Sequence, residues 1–392
     1  MKLPLGYRYA STYAGIRKEK KDDLALILSD TPASAAAMFT RNRVKAAPVL
    51  LAREHLRQSR GLSRAILVNA GNANCATRTG ARVALASCRA VAKLLKAPVA
   101  GILPASTGVI GVDLDPALIT NALPRLFDRL SADGFADAAR AIMTTDKMPK
   151  MAFGEVPLRT GTVHIAGMTK GSGMIHPQMA TTLGFVMMDA VLSPQMLRPM
   201  LAAAIERSYH RISVDGDTST NDTVILLANG ASGIKLNAKE RMVFQEVLCW
   251  VMEDLAEKIA RDGEGARKLV TIHVVGTRDN EDATRIARAI ANSPLVKTAI
   301  AGADPNWGRI LSAAGNSGVE FDPSKVDIFF QRMRVCSKGV AEKFSERELK
   351  EKLGAQECLI RFVLNGTGKG ETRFWSCDLT EKYIEINASY RT

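Results

Sequence analysis

No run of eighteen apolar residues occurs in the 392-residue chain, so the sequence offers no helix of membrane-spanning length. The first two dozen residues carry a basic group but no apolar core of signal-peptide length, and export is not expected. The six cysteines, Cys75, Cys88, Cys249, Cys336, Cys358 and Cys377, form no CxxC pair and have no metal-site spacing. His55, His164, His176, His210 and His273 make no HExxH pattern. These absences lead us to expect reduced thiols, a cytoplasmic protein, no metal and no bound cofactor. Aromatic residues are scarce, at 5%, and do not interleave with the basic ones, which argues against nucleic acid as a partner. No repeat of fixed period and no long Pro/Ser linker divides the chain.

What is present is enough apolar content, 46%, for a full core, and a net charge of +13. The basic residues are dispersed, so the excess reads as solubility and attraction of anionic metabolites. Alanine and leucine recur with helical spacing over Thr79–Leu95. Helices are also expected over Phe135–Ile142, Ser193–Arg207, Glu240–Arg261 and Asn280–Ile290. Short strands are expected at Leu24–Leu28, Ala65–Asn69, Thr162–Met168, Thr181–Asp189, Asp222–Leu227, Leu269–Val275 and Val326–Phe330. Val99–Leu103 reads as a strand ending in a turn at Pro104–Gly108. The sum is a mixed α and β chain with several antiparallel strands.

One segment invites chemistry. From Lys170 to Asp189 a Gly- and Pro-punctuated loop leads into an apolar strand, and Thr181 and Thr182 stand at the join. A threonine hydroxyl is a weak nucleophile that needs an adjacent base. If the bond before Thr181 breaks, its own α-amine, which ordinarily titrates at about pH 8, supplies that base. Gly171, Gly173 and Pro177 could hold the strained geometry that such a cut needs. A threonine pair opening a strand is also ordinary strand chemistry. The segment is not a phosphate loop, because Lys170 precedes its glycines.

Uninterrupted blocks elsewhere sharpen the reading. They include Asn42–Pro48, Gly71-Asn72-Ala73-Asn74, Ser106–Gly111, Met143-Thr144-Thr145-Asp146, Lys170–Ile175 and Met179-Ala180-Thr181. Further along come Asp215–Thr223, Asp262–Ala266, Asn292–Thr298, Asp304–Arg309, Asn387-Ala388 and Tyr390-Arg391-Thr392. In this order and spacing the chain resembles the arginine-biosynthesis family of glutamate N-acetyltransferases, also called ornithine acetyltransferases.

The resemblance implies a two-subunit α/β fold like that of self-cleaving aminopeptidases, with sheets packed between helices. It implies a cut at Ala180–Thr181 into an alpha fragment, 1–180, and a beta fragment, 181–392. The fragments would assemble as a heterotetramer, two of each. The implied reaction moves acetyl from N-acetylornithine to glutamate through an acetyl-threonine ester, and acetyl-CoA is a possible second donor. Thr181 is implied as nucleophile, with Thr107 and Gly108 stabilising the oxyanion. Thr144, Lys170, Glu264, Asn387 and Thr392 are implied at the substrate. Glu264 could bind the ornithine ammonium or move protons. His176, close to Thr181 in sequence, is expected to have no catalytic role. Lys147, Thr182 and Arg267 depart from the family pattern. The rival reading is a related hydrolase of the same nucleophile class, in which water takes the acyl group.

Overall fold

The apolar run at Leu24–Leu28 opens a strand that continues to Phe39. It sits inside an eight-stranded sheet in the computed structural model, which describes residues 2–176 and 182–389. Along the sheet the order is Ile102–Val109, Leu62–Asn72, Leu24–Phe39, Thr223–Ala228, Leu183–Met188, Gly161–Lys170 and Lys150–Leu158, with Tyr7–Thr12 paired to Leu24–Phe39. The first two strands run parallel, as do Thr223–Ala228 and Leu183–Met188; the other pairs are antiparallel.

The central strands are apolar on both faces because both are covered. Val224 and Leu226 pack into one core with Leu248, Val251, Met252 and Leu255 of the helix Ala238–Arg261. Ile225 and Leu227, the alternate residues, pack on the other side with Phe185, Met187 and Phe135. A second sheet of six strands carries Leu269–Thr277, flanked by Glu357–Leu364 and Gly370–Cys377. Its core is closed by Ile286 and Ile290 of the helix Asn280–Ala291. The expected mixed α/β class is the one observed.

Two features of this frame place the site. Lys170 pairs with Leu183 and Thr169 with Gly184, so the two ends of the segment carrying the Thr-Thr pair are neighbouring strands. The expected turn at Pro104–Gly108 is instead extended strand, within Ile102–Val109. Proline is tolerated there because this is an edge strand, where a missing N–H costs no ladder bond. Val99–Gly101, expected to begin the strand, forms a single 3-10 turn. The junction Ala180–Thr181 and the terminal Thr392 lie outside the described residues.

Among the described residues no helix is long and apolar enough to cross a membrane. None of their His, Cys, Asp or Glu residues cluster as a metal site. All six cysteines are free and buried.

Candidate active site

Strand ends and turns converge on a cavity of about 320 Å³. Thr107, Gly108, Thr144, Lys170, Glu264 and Asn387 all line it. These residues span almost three hundred positions of sequence.

Gly108 stands near the end of its strand opposite Gly71, with φ of +130°. A Cβ at this position would lie 2.2 Å from the Gly71 carbonyl carbon. Both the conformation and the approach therefore require glycine. The loop beside it is tied by Asn221, whose amide donates to the carbonyls of Ala73 at 2.7 Å and Ser106 at 2.8 Å. The Thr107 hydroxyl receives a hydrogen bond from Lys170 Nζ at 3.3 Å.

Lys170 closes the strand Gly161–Lys170 and is buried. Burial pulls its ammonium below the ordinary lysine value, Asp146 opposes that, and Lys150 adds to it. Asp146 Oδ2 is 4.0 Å from Lys170 Nζ, while Lys150 Nζ bonds Asp146 Oδ1 and Asp262 Oδ2, both at 2.6 Å. Burial resists ionisation of Asp146, but the two lysines and the Gly171 N–H overcome it and hold the carboxyl well below its usual range. This network reaches three parts of the site. Thr144 N–H donates to Asp146 at 3.0 Å, Gly171 N–H donates to it at 2.7 Å, and Asp262 begins the turn that holds Glu264.

Glu264 is buried after the end of the helix Ala238–Arg261. Its N–H donates to Ser172 O at 2.8 Å, and its carboxylate accepts from Asn387 Nδ2 at 2.9 Å. Gly173 makes room for that carboxylate, since a Cβ there would be 2.5 Å from Oε2. Asn387 comes from the helix Glu381–Ser389, whose Tyr383 also lines the cavity. Arg267 bonds Glu381 at the start of this helix. Lys147 donates its N–H to Asp262 at 3.0 Å and its Nζ to Ala266 O at 3.2 Å.

Thr182 is fixed on the same strand edge. Its N–H donates to Asp222 Oδ1 at 3.0 Å, and its hydroxyl donates to Lys170 O at 2.8 Å. Burial pushes the Asp222 carboxyl well above the ordinary aspartate range. His176 is half-buried near the Gly216 turn and is not among the lining residues. Burial lowers its pKa.

Sequence reasoning gave no role to Asp215, Asp217, Ser219, Thr220, Asn221 or Tyr383, all of which line the cavity. Five of these lie in the Asp215–Thr223 block. A polar, turn-forming run just ahead of an apolar strand was the available signal. Asp146 and Lys150 gave none: they pair with each other four residues apart outside any helix, and their other partners, Lys170 and Asp262, are remote in sequence.

A model of the ArgJ family matches residues 8–392. The chain is 42% identical to an arginine biosynthesis bifunctional protein ArgJ of Nitratidesulfovibrio vulgaris, over 99% of each chain. It is 43% identical to the protein of the same description from Thermotoga neapolitana, over the full length of both. Among solved structures, an arginine biosynthesis bifunctional protein from Bacillus halodurans superposes with a TM-score of 0.51 at 40% identity. That match covers 53% of this chain and 98% of the other.

Proposed function

This chain belongs to the ArgJ family, and from that premise we propose that it becomes active by cutting itself at Ala180–Thr181. The enzyme is an acetyltransferase of arginine biosynthesis that moves acetyl between ornithine and glutamate. What remains to be assigned is how its residues do so.

The carrying observation is the single cavity that gathers Thr107, Gly108, Thr144, Lys170, Glu264 and Asn387 beside Thr182. Thr181 directly precedes Thr182 in the sequence. Thr182 in turn is held against Lys170. The chain neighbour of the proposed nucleophile is therefore held beside a residue that lines the cavity.

In the first half-reaction Thr181 Oγ attacks the acetyl carbonyl of N-acetyl-L-ornithine. The α-amine takes the hydroxyl proton and delivers it to the departing ornithine nitrogen as the C–N bond breaks. An acetyl-threonine ester remains. The amine of L-glutamate attacks that ester, its proton returns to Thr181, and N-acetylglutamate leaves. The carbonyl oxygen becomes an anion in both halves. The Gly108 N–H and the Thr107 hydroxyl serve as donors to it, each worth about 3 kcal/mol. Lys170 adds positive charge from a buried position, where screening by water is weak. Thr144, Glu264, Asn387 and Thr392 hold the amino-acid portions.

The Bacillus halodurans chain supports the cut, because 53% of this chain covers 98% of that one, making it about half as long. We read the mature protein as two alpha and two beta fragments in the cytoplasm, where free cysteines persist. Relatives described as bifunctional support acetyl-CoA as a second donor.

Intact mass and N-terminal sequencing test the cut. A fragment beginning Thr181-Thr182-Leu183-Gly184 is expected, and Thr181→Ala should leave one uncut, inactive chain. A two-fragment, active Thr181→Ala protein would defeat the mechanism. Incubation with N-acetylornithine, with and without glutamate, separates transfer from hydrolysis. Equal acetate release in both would favour the hydrolase. Acetyl-CoA offered as sole donor tests the second activity.

A further inference from the structure

Three carboxyl groups line the cavity: Asp215, Asp217 and Glu264. Two of them have partners. Glu264 accepts from Asn387 and lies close enough to Lys170 to favour its charge. Asp215 accepts the N–H groups of Met174 at 2.7 Å, Ile175 at 2.9 Å and Asp217 at 3.2 Å, and the Tyr383 hydroxyl at 3.4 Å. Asp217 is different. Its side chain is exposed, faces the cavity and takes no hydrogen bond or ion pair from the described residues. Its charge is felt at Asp215 and Tyr383, and at the half-buried His176 beside the Gly216 turn, which makes no hydrogen bond to it. Among the lining residues Lys170 is the one basic side chain. The cavity therefore has a cationic wall at Lys170 and an unpaired carboxylate beside the Gly216 turn.

The two amino-acid substrates share an α-carboxylate and an α-nitrogen. They differ at the far end of the side chain, where ornithine carries an ammonium and glutamate a carboxylate. A residue that distinguishes them must be charged and free to pair. We propose that Asp217 is a specificity-determining residue that pairs with the side-chain ammonium of the N-acetylornithine donor. This rests on the acetyl-transfer reading above. One cavity serves both half-reactions, so the pair must also release before glutamate enters. An exposed pair suits that demand, because water screens it and holds its strength low.

In a ping-pong scheme kcat/KM for the donor reports only the first half-reaction, and kcat/KM for glutamate only the second. The test compares N-acetyl-L-ornithine with N-acetyl-L-norvaline, which has the same carbon chain without the ammonium. In Asp217→Asn the preference for N-acetylornithine over N-acetylnorvaline should fall about fivefold. In the same variant kcat/KM for glutamate should rise. Asp217→Glu should restore the donor preference, and added salt should shrink it in the wild type. A merely structural role would lower all three values together, with the preference intact, and that result overturns the inference. A wild-type enzyme that moves no acetyl from N-acetylornithine to glutamate would instead overturn the reading beneath it.

Discussion

At the scale of single residues, Gly108 is a tightly constrained position in the cavity lining. Its obstacle is the backbone of Gly71, which cannot rotate away as a side chain could. Gly108→Ala should displace the strand end and both proposed oxyanion donors, lowering kcat about a hundredfold or more. Steady-state kinetics would check this, with circular dichroism to show that the fold persists. Lys150 answers to a different force. It is buried between Asp146 and Asp262, and Lys150→Met strands two carboxylates in the interior. A loss of about 3 kcal/mol of stability is expected, read from urea unfolding. Asp215 yields a pH effect. Burial pushes its carboxyl from 3.8 up to about 6, against the pull of its N–H donors. A raised folded pKa means that its contribution is fully present below about pH 4 and lost as pH climbs through about 6. In Asp215→Asn the slope of stability between pH 4 and pH 6 should flatten, by up to roughly 3 kcal/mol across the window. Melting temperatures of both proteins at pH 4, 5, 6 and 7 would measure it.

At the scale of elements, the C-terminal helix Glu381–Ser389 depends on contacts at its base and on the site it serves. Thr380 Oγ1 donates to Gly265 O at 2.7 Å, Arg267 pairs with Glu381, and Asn387 reaches Glu264. A chain ending at Thr380 keeps every strand of both sheets, so it should fold but lose at least tenfold in kcat/KM. Near-native circular dichroism with that loss is the expected result. Arg267→Ala should do much less, because that ion pair is exposed on both sides. The strands and helices were legible to different degrees. Thr79–Leu95 and Glu240–Arg261 announced themselves by period and are observed as Gly80–Leu95 and Ala238–Arg261. The helices Ala47–Gln58 and Pro116–Asp128 went unread, since Pro48 and Pro124 interrupt the apolar pattern. Pro48 falls within the first helical turn, where a missing N–H costs nothing. Pro104–Gly108 read as a turn because Pro and Gly punctuate it; an edge position in the sheet overrode that signal.

At the scale of the whole molecule, the cavity is bounded by chain segments from both sides of the junction. Thr107, Thr144 and Lys170 precede it, and Asp217, Glu264 and Asn387 follow it. A cut between them leaves the site whole only if both fragments stay together. The eight-stranded sheet provides the means, because Gly161–Lys170 pairs with Leu183–Met188 and Leu24–Phe39 with Thr223–Ala228 across the proposed cut. Dilution of the enzyme, cut as proposed, should therefore leave activity per molecule constant, as measured from micromolar to nanomolar protein. The sequence by itself determined the mixed α/β class, through apolar periodicity, and the family, through ordered blocks of residues. It also determined which residues would meet, because those blocks carry Thr107, Gly108, Thr144, Lys170, Glu264 and Asn387. Only the tertiary structure decided how they are held. Lys150 between Asp146 and Asp262, Gly71 against Gly108, and Asp217 left without a partner among the described residues are facts of three-dimensional packing. Charge and steric contact act through space, and no local pattern along the chain encodes which distant group will stand within about 4 Å.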